Sequence, residues 1–218
     1  MDINILFPVY NEQKRVENGV TKTVSYLRNL NSIPFKITII DNNSSDNTPE
    51  ICKNLEKKYN EVQYIAIKEQ GVGIAFRTGI SLNKSSIVGY MDCDLSTDLS
   101  HLNQVLSIFK NDKTIDIVNG SRFSKGSITK NRKWYRNITS FGLNFILKLF
   151  FKIKSNDTVC GFQFFKKESI EYLIEKTKSA ENGWFYLIEI LIRAERADMN
   201  IYELPVVWTD DPNTTVKM

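Results

Sequence analysis

Residues 88–100, VGYMDCDLSTDLS, decide how the chain is read. An apolar run stops at Asp92, and Asp94 and Asp98 follow almost at once. The run fits a short buried strand. Carboxylates crowded at its end are costly unless caps or a cation take them up, because each disfavours ionisation of the next. Asp98 precedes helical spacing at 99–110 and is expected to cap it, as Asp46 is expected to cap the helix after NNSSDNT (42–48). Asp92 and Asp94 have no such duty. They read as ligands of Mg²⁺ or Mn²⁺, which takes carboxylates together with water and substrate phosphates.

Outward from this stretch, strands and helices alternate. INILFPVY (3–10), FKITIID (35–41), VQYIAI (62–67), SIVGYMD (86–92) and IDIVNGS (115–121) read as strands; 13–30, 49–59, 73–83 and 99–110 carry helical apolar spacing. Such alternation predicts an α/β fold with a doubly wound, mostly parallel sheet and helices on both faces. Further on, DTVCGFQFF (157–165) and MNIYELPVVW (199–208) read as strands, with helices near 168–176 and over 184–197. Parallel sheets bind ligands at the carboxyl ends of their strands. Polar groups stand at three such ends: Pro8 to Glu12, Asp41 to Asn43, and Asp92 to Asp94.

Net charge is +4, from 29 basic and 25 acidic residues, too slight an excess to argue for a nucleic-acid partner. Cysteines 52, 93 and 160 lack metal-ligand spacing and suit a reducing compartment. Neither a signal-peptide pattern nor a membrane-length apolar run is visible, so the expectation is a cytoplasmic protein, able to lie against a membrane. The phosphate-loop pattern GxxxxGK[ST] is absent. Gly71-Val72-Gly73, with Arg77 on the helix it opens, serves either phosphate contact or a tight loop. RFSKGSITKNRKWYR (122–136) is basic, and the segment after it, about 138–153, reads as an apolar helix with Phe141, Phe145, Phe150 and Phe151 interrupted by Lys148 and Lys152. That helix either lies in a membrane interface or packs into the core. His101 is expected at the surface, and Glu189 either on a polar helix face or turned to the site.

FPVYNE, IIDNNSSDNT, GVGIAFRTGI and YMDCDLSTD resemble the successive motifs of family 2 glycosyltransferases with the GT-A fold. NGSRF (119–123), DTVCGFQFF and the stretch 183–217 resemble the polyprenyl-phosphate branch, relatives of dolichol-phosphate mannose synthase and bactoprenol glucosyltransferase. The resemblance implies one domain over 1–218, with a nucleotide-sugar half (1–98) and an acceptor half (99–218). It implies inverting, metal-dependent transfer from a UDP- or GDP-sugar to a polyprenyl phosphate at the cytoplasmic membrane face. Pro8, Tyr10, Glu12 and Asp41 would frame the nucleotide, with Gly73, Arg77 and Asp92 also on the donor. Asp92 and Asp94 would hold the metal diphosphate, and Arg122, Arg132 and Arg136 the acceptor phosphate, with Lys130 and Lys133 beside them. Asp157, Asp94 and Arg122 would carry the reaction, Asp157 as base or by orienting the acceptor. Leu187, Val159 and Val72 stand where relatives commonly have an acidic residue, Gln and Lys. Transfer to a hydroxyl of a glycan or glycolipid, or service as an inactive donor-binding subunit beside a membrane partner, are the alternatives.

Overall fold

A computed structural model describes residues 1–31, 33–132, 134–177 and 181–210, with the backbone alone at Tyr135 and Arg136. The strands are β1 (Ile3–Val9), β2 (Phe35–Asn42), β3 (Val62–Ile67), β4 (Ile87–Met91), β5 (Ile117–Ser121), β6 (Ile128–Lys130), β7 (Phe162–Lys166), β8 (Ile201–Pro205) and β9 (Val207–Thr209). The helices are α1 (Val16–Leu30), α2 (Thr48–Lys58), α3 (Val72–Ser81), α4 (Ser100–Asn111), α5 (Trp134–Phe151), α6 (Lys167–Thr177) and α7 (Phe185–Arg196). Seven strands form one sheet in the order β3-β2-β1-β4-β7-β5-β8; β6 and β9 form a small second sheet.

The central strands are apolar on both faces, as strands covered on both sides must be. One face packs on Val16, Val20 and Val24 of α1, Cys52 and Leu55 of α2, and Leu102, Val105 and Phe109 of α4. The other packs on Ala75, Phe76 and Ile80 of α3, Ile170 and Leu173 of α6, and Tyr186, Ile190 and Leu191 of α7. The helices therefore cover both faces, as the alternation predicts.

β1, β2, β3 and β4 run parallel, with Val9 opposite Asp41 and Leu6 opposite Tyr90. β5 and β8 are also parallel to each other. β7 runs antiparallel between β4 and β5. That reversal brings the start of β7, with Asp157 just before it, to the edge where β1, β2, β4 and β5 end. The expected strand over 199–208 is divided at Val206 into β8 and β9, and β9 leaves the main sheet to pair with β6, a strand the sequence does not announce.

Candidate functional site

The three polar strand ends meet along one edge. At β2, Asp41 is buried; its Oδ2 accepts from the Tyr64 hydroxyl at 3.0 Å and its Oδ1 from the Ser44 N–H at 3.0 Å. Burial, and then the bond to Asp41, raise the Tyr64 pKa, so its hydroxyl stays a donor. Beyond β1, Tyr10 is exposed, Pro8 half-buried, and Glu12 pairs with Arg15 at 2.6 Å. Asn11 and Asn43 take left-handed backbone, φ 54° and 62°, which asparagine tolerates. The Asn11 N–H bonds Ser44 Oγ at 2.9 Å, and the Ser45 N–H bonds Asn11 Oδ1 at 2.8 Å, so the two loops form one shelf.

Asp92 and Asp94 follow β4. α1 crosses so closely that a Cβ on Gly19 would stand 2.0 Å from the Cys93 carbonyl oxygen. Across the ladder, a Cβ on Gly161 would stand 1.9 Å from Asp92 Oδ2. Both glycines are therefore space for the aspartate turn. The Tyr90 hydroxyl, two residues back on the same strand face, donates to Asp92 Oδ1 at 2.9 Å. Asp94 Oδ1 accepts the Ser96 N–H at 2.9 Å. Burial, and then the neighbouring Asp94 charge, push the Asp92 carboxyl up to about 7. A buried Asp92 carboxyl raised in this way beside Asp94, each residue with one oxygen already placed by a donor, fits a hard divalent cation. Among the described residues no group of three or more His, Cys, Asp or Glu forms a metal cage. A cation here therefore draws its other ligands from water and substrate, as Mg²⁺ and Mn²⁺ commonly do.

On the far side, Arg122 and Asp157 form a buried bidentate pair. Arg122 Nε and Nη2 donate to Asp157 at 2.7 and 2.8 Å, the Arg122 backbone N–H donates at 3.0 Å, and Val159 N–H at 3.3 Å. Burial works against the Arg122 charge, yet the bonds to Asp157 outweigh it and its pKa is raised. The guanidinium also lies over the Trp208 ring, 5.0 Å from its centroid. Asp157 thus has neither oxygen idle, which disfavours its service as a base.

Other expected residues are engaged elsewhere. The Gly73 N–H donates to the Asn182 carbonyl at 2.7 Å, and a Cβ at Gly73 would meet Tyr186 Cβ at 2.7 Å. Arg77 donates to the Glu181 carbonyl at 2.6 Å and to Asn182 Oδ1, and lies over the Tyr186 ring at 4.6 Å. Gly73 and Arg77 accordingly hold the 181–186 segment, an arrangement that fits the tight-loop alternative. Arg132 is also turned inward, donating to Asn137 Oδ1 at 2.7 Å, Ser140 Oγ at 2.9 Å and Asp210 Oδ1 at 3.3 Å. Lys133 and the Arg136 side chain lie outside the described residues, as does the sequence beyond Asp210. His101 is buried, not at the surface: Nε2 accepts the Val207 N–H at 2.8 Å and Nδ1 faces Gln104 Oε1 at 2.7 Å. Glu189 lies on the polar face, paired with Arg193 at 2.7 Å. The N-cap positions of α4 and α2 fall to Leu99 and Asn47; Asp98 and Asp46, one residue earlier, accept the Ser100 and Thr48 N–H groups at 2.8 and 2.9 Å. Leu187 is packed in the α3–α7 core.

Sequence reading passes over Tyr90, Tyr64, Gly161 and Trp184. Tyr90 carries a usable signal, an aromatic two residues before Asp92 and so on the same strand face. Trp184 stands edge-on to Tyr90, ring centroids 6.1 Å apart, and only the fold brings it there.

Residues 4–174 match the model of the family described as Glycosyl transferase family 2. Glycosyltransferase AglD of Haloferax volcanii is 28% identical over 220 residues, which cover 100% of this chain and 35% of that protein. A dolichyl-phosphate beta-glucosyltransferase of Trichomonas vaginalis is 27% identical, covering 97% of this chain and 65% of that protein. The chain thus spans about a third of one curated relative and just under two thirds of the other. Among solved structures, glucosyl-3-phosphoglycerate synthase from Mycobacterium tuberculosis in complex with Mn²⁺, UDP and glucosyl-3-phosphoglycerate aligns with a TM-score of 0.72 at 13% identity, covering 99% of this chain and 73% of that one. At that identity the likeness bears on fold alone, and the fold is that of the GT-A glycosyltransferases.

Proposed function

Because this chain belongs to glycosyl transferase family 2, we propose that it transfers a sugar, with inversion, from a UDP- or GDP-sugar to a polyprenyl phosphate. The observation that carries the choice of acceptor is the Asp157 carboxylate, held on both oxygens by Arg122 and backbone N–H groups. An alcohol acceptor needs a base to take its proton; a phosphate is already ionised and needs none. The aligned relative named for dolichyl phosphate points the same way.

In this reading the shelf formed by Asp41, Tyr10 and the Asn11–Ser45 loops receives the nucleotide. Asp92 and Asp94 hold Mg²⁺ or Mn²⁺, which when bound supplies Lewis-acid neutralisation of the departing nucleoside diphosphate. Tyr90 and Gly161 fix the rotamer and the space of Asp92. Asp157 sets the direction of Arg122, whose fixed positive charge faces the anions that meet at this edge. Arg136, in the first turn of α5, and Lys133, which precedes the helix in sequence, are the further candidates for the acceptor phosphate. No described helix is long and apolar enough to cross a membrane. We place the chain peripherally at the cytoplasmic face, with α5 on the lipid and a membrane partner subunit as a candidate companion there.

The test is a donor panel of UDP- and GDP-hexoses with Mg²⁺ or Mn²⁺, incubated with dolichyl and undecaprenyl phosphate. A sugar-bearing lipid is expected. Transfer only to a soluble glycan would overturn the acceptor assignment.

A further inference from the structure

α5 is built inside out. Ser140, Asn144 and Lys148 recur every four residues and so share one helix face, the inner one. Ser140 Oγ accepts from Arg132 at 2.9 Å, and Lys148 Nζ donates to Asn156 Oδ1 at 2.8 Å. Between them Asn144, only 4% exposed, accepts at Oδ1 from the Thr158 N–H at 3.2 Å and the Thr158 hydroxyl at 2.9 Å. Leu147 adds an apolar anchor against Ile153, Ile188 and Ile192. The opposite side carries Phe141, Phe145, Leu149 and Phe150, each more than 60% exposed. A helix that turns its polar stripe inward and its phenylalanines outward is arranged for a surface less polar than water.

Two observations connect this helix to the site. Its inner stripe grips Asn156 and Thr158, the residues on either side of Asp157. Asp157 in turn aligns both the guanidinium and the backbone of Arg122. In addition, the Asn144 Nδ2 group is buried without a partner, a cost the clasp sustains. The surface that covers α5 is identified by charge. Every charged residue from 117 to 156 is basic, and the Arg196 guanidinium lies 5.9 Å over the Phe151 ring at the helix end. A second copy would bring cation against cation; an anionic lipid surface takes both the phenylalanines and the basic rim.

We propose that Asn144 and Thr158 are positioning residues that couple docking of α5 on anionic lipid to the alignment of the Arg122–Asp157 pair. The proposal rests on the lipid-acceptor reading above and adds a regulation to it: the site is set where its acceptor resides. Coupling of this kind is reciprocal, so ligands at the site also strengthen docking.

Hydrogen exchange of the whole chain, with vesicles of phosphatidylglycerol and phosphatidylcholine against phosphatidylcholine alone, tests it. Anionic vesicles are expected to slow exchange in α5 and at the Thr158 and Val159 amides together. Thr158→Val and Asn144→Leu keep the protection of α5 and lose it at 158–159; Thr158→Ser restores both. In parallel, acceptor-free anionic vesicles are expected to stimulate transfer to a short water-soluble isoprenyl phosphate by about fivefold or more. Thr158→Val abolishes the stimulation with the donor KM unchanged. Protection of α5 without 158–159, no protection of α5, or equal stimulation of Thr158→Val would each overturn the proposal. Coupled protection with no lipid-phosphate transfer under any donor would overturn the acceptor reading and leave the coupling standing.

Discussion

At the scale of single residues, the Asp92–Asp94 turn concentrates the electrostatic cost of the proposed site. The Asp92 pKa is raised from its ordinary value to about 7, first by burial and then by Asp94. The folded, metal-free protein therefore binds more protons than the unfolded chain between about pH 4 and 7, and stability falls as pH rises through that window. Asp92→Asn, which removes the charge but keeps the shape, is expected to raise the metal-free Tm above pH 7 by at least about 2–4 °C, the shift that about 1 kcal/mol produces in a domain of this size. Below pH 4 it is expected to be neutral, and calorimetry across the range checks both signs. Asp94→Ala is expected to cost turnover about 100-fold or more while the fold persists, read as sugar-lipid formed with saturating Mn²⁺. These aspartates are legible in sequence because three strand ends carry polar groups at once. Gly161 is not, since its reason lies across the ladder in the 1.9 Å that separates a Cβ from Asp92 Oδ2.

At the scale of elements, α3 and α5 separate local signals from their uses. The GVG turn and Arg77 look like phosphate chemistry, yet the Gly73 N–H goes to the Asn182 carbonyl and the guanidinium to Glu181, Asn182 and the Tyr186 ring. Arg77→Ala is accordingly expected to lower the Tm while leaving the donor KM within about twofold, because losing a hydrogen bond to a part-buried group costs about 1–3 kcal/mol. A donor KM raised tenfold at unchanged Tm would return Arg77 to the donor. α5 begins at Trp134 rather than near 138, and its apolar face is turned outward instead of into the core. The double substitution Phe145→Glu with Phe150→Glu is expected to abolish sedimentation with anionic vesicles and leave the Tm unchanged, since both rings stand in solvent. Periodicity identifies such a helix but is silent on which face meets the protein, as the answer depends on what Asn144 and Lys148 find opposite them.

At the scale of the whole molecule, the buried Arg122–Asp157 pair joins the end of β5 to the start of β7 across the site edge. Removing one partner of a buried pair leaves an uncompensated charge, so Asp157→Ala is expected to lose about 3–5 kcal/mol in denaturant unfolding, along with transfer. Arg122→Lys cannot restore the bidentate geometry and is expected to recover little of either. The sequence by itself determined the alternation of strands and helices, the polar strand ends and the family motifs, because apolar period, turn chemistry and capping are properties of neighbours along the chain. Asp46 and Asp98 hold the backbone N–H two residues on, at the start of α2 and α4, as their local context requires. Only the tertiary structure decided that β7 runs backwards and so delivers Asp157 to Arg122, that β9 leaves the sheet and buries His101 beneath Val207, and that Arg132 turns inward to Asp210. Each of these joins residues far apart in the chain, and charge or polarity in one of them does not reveal whether its partner is water, a ligand or the protein itself.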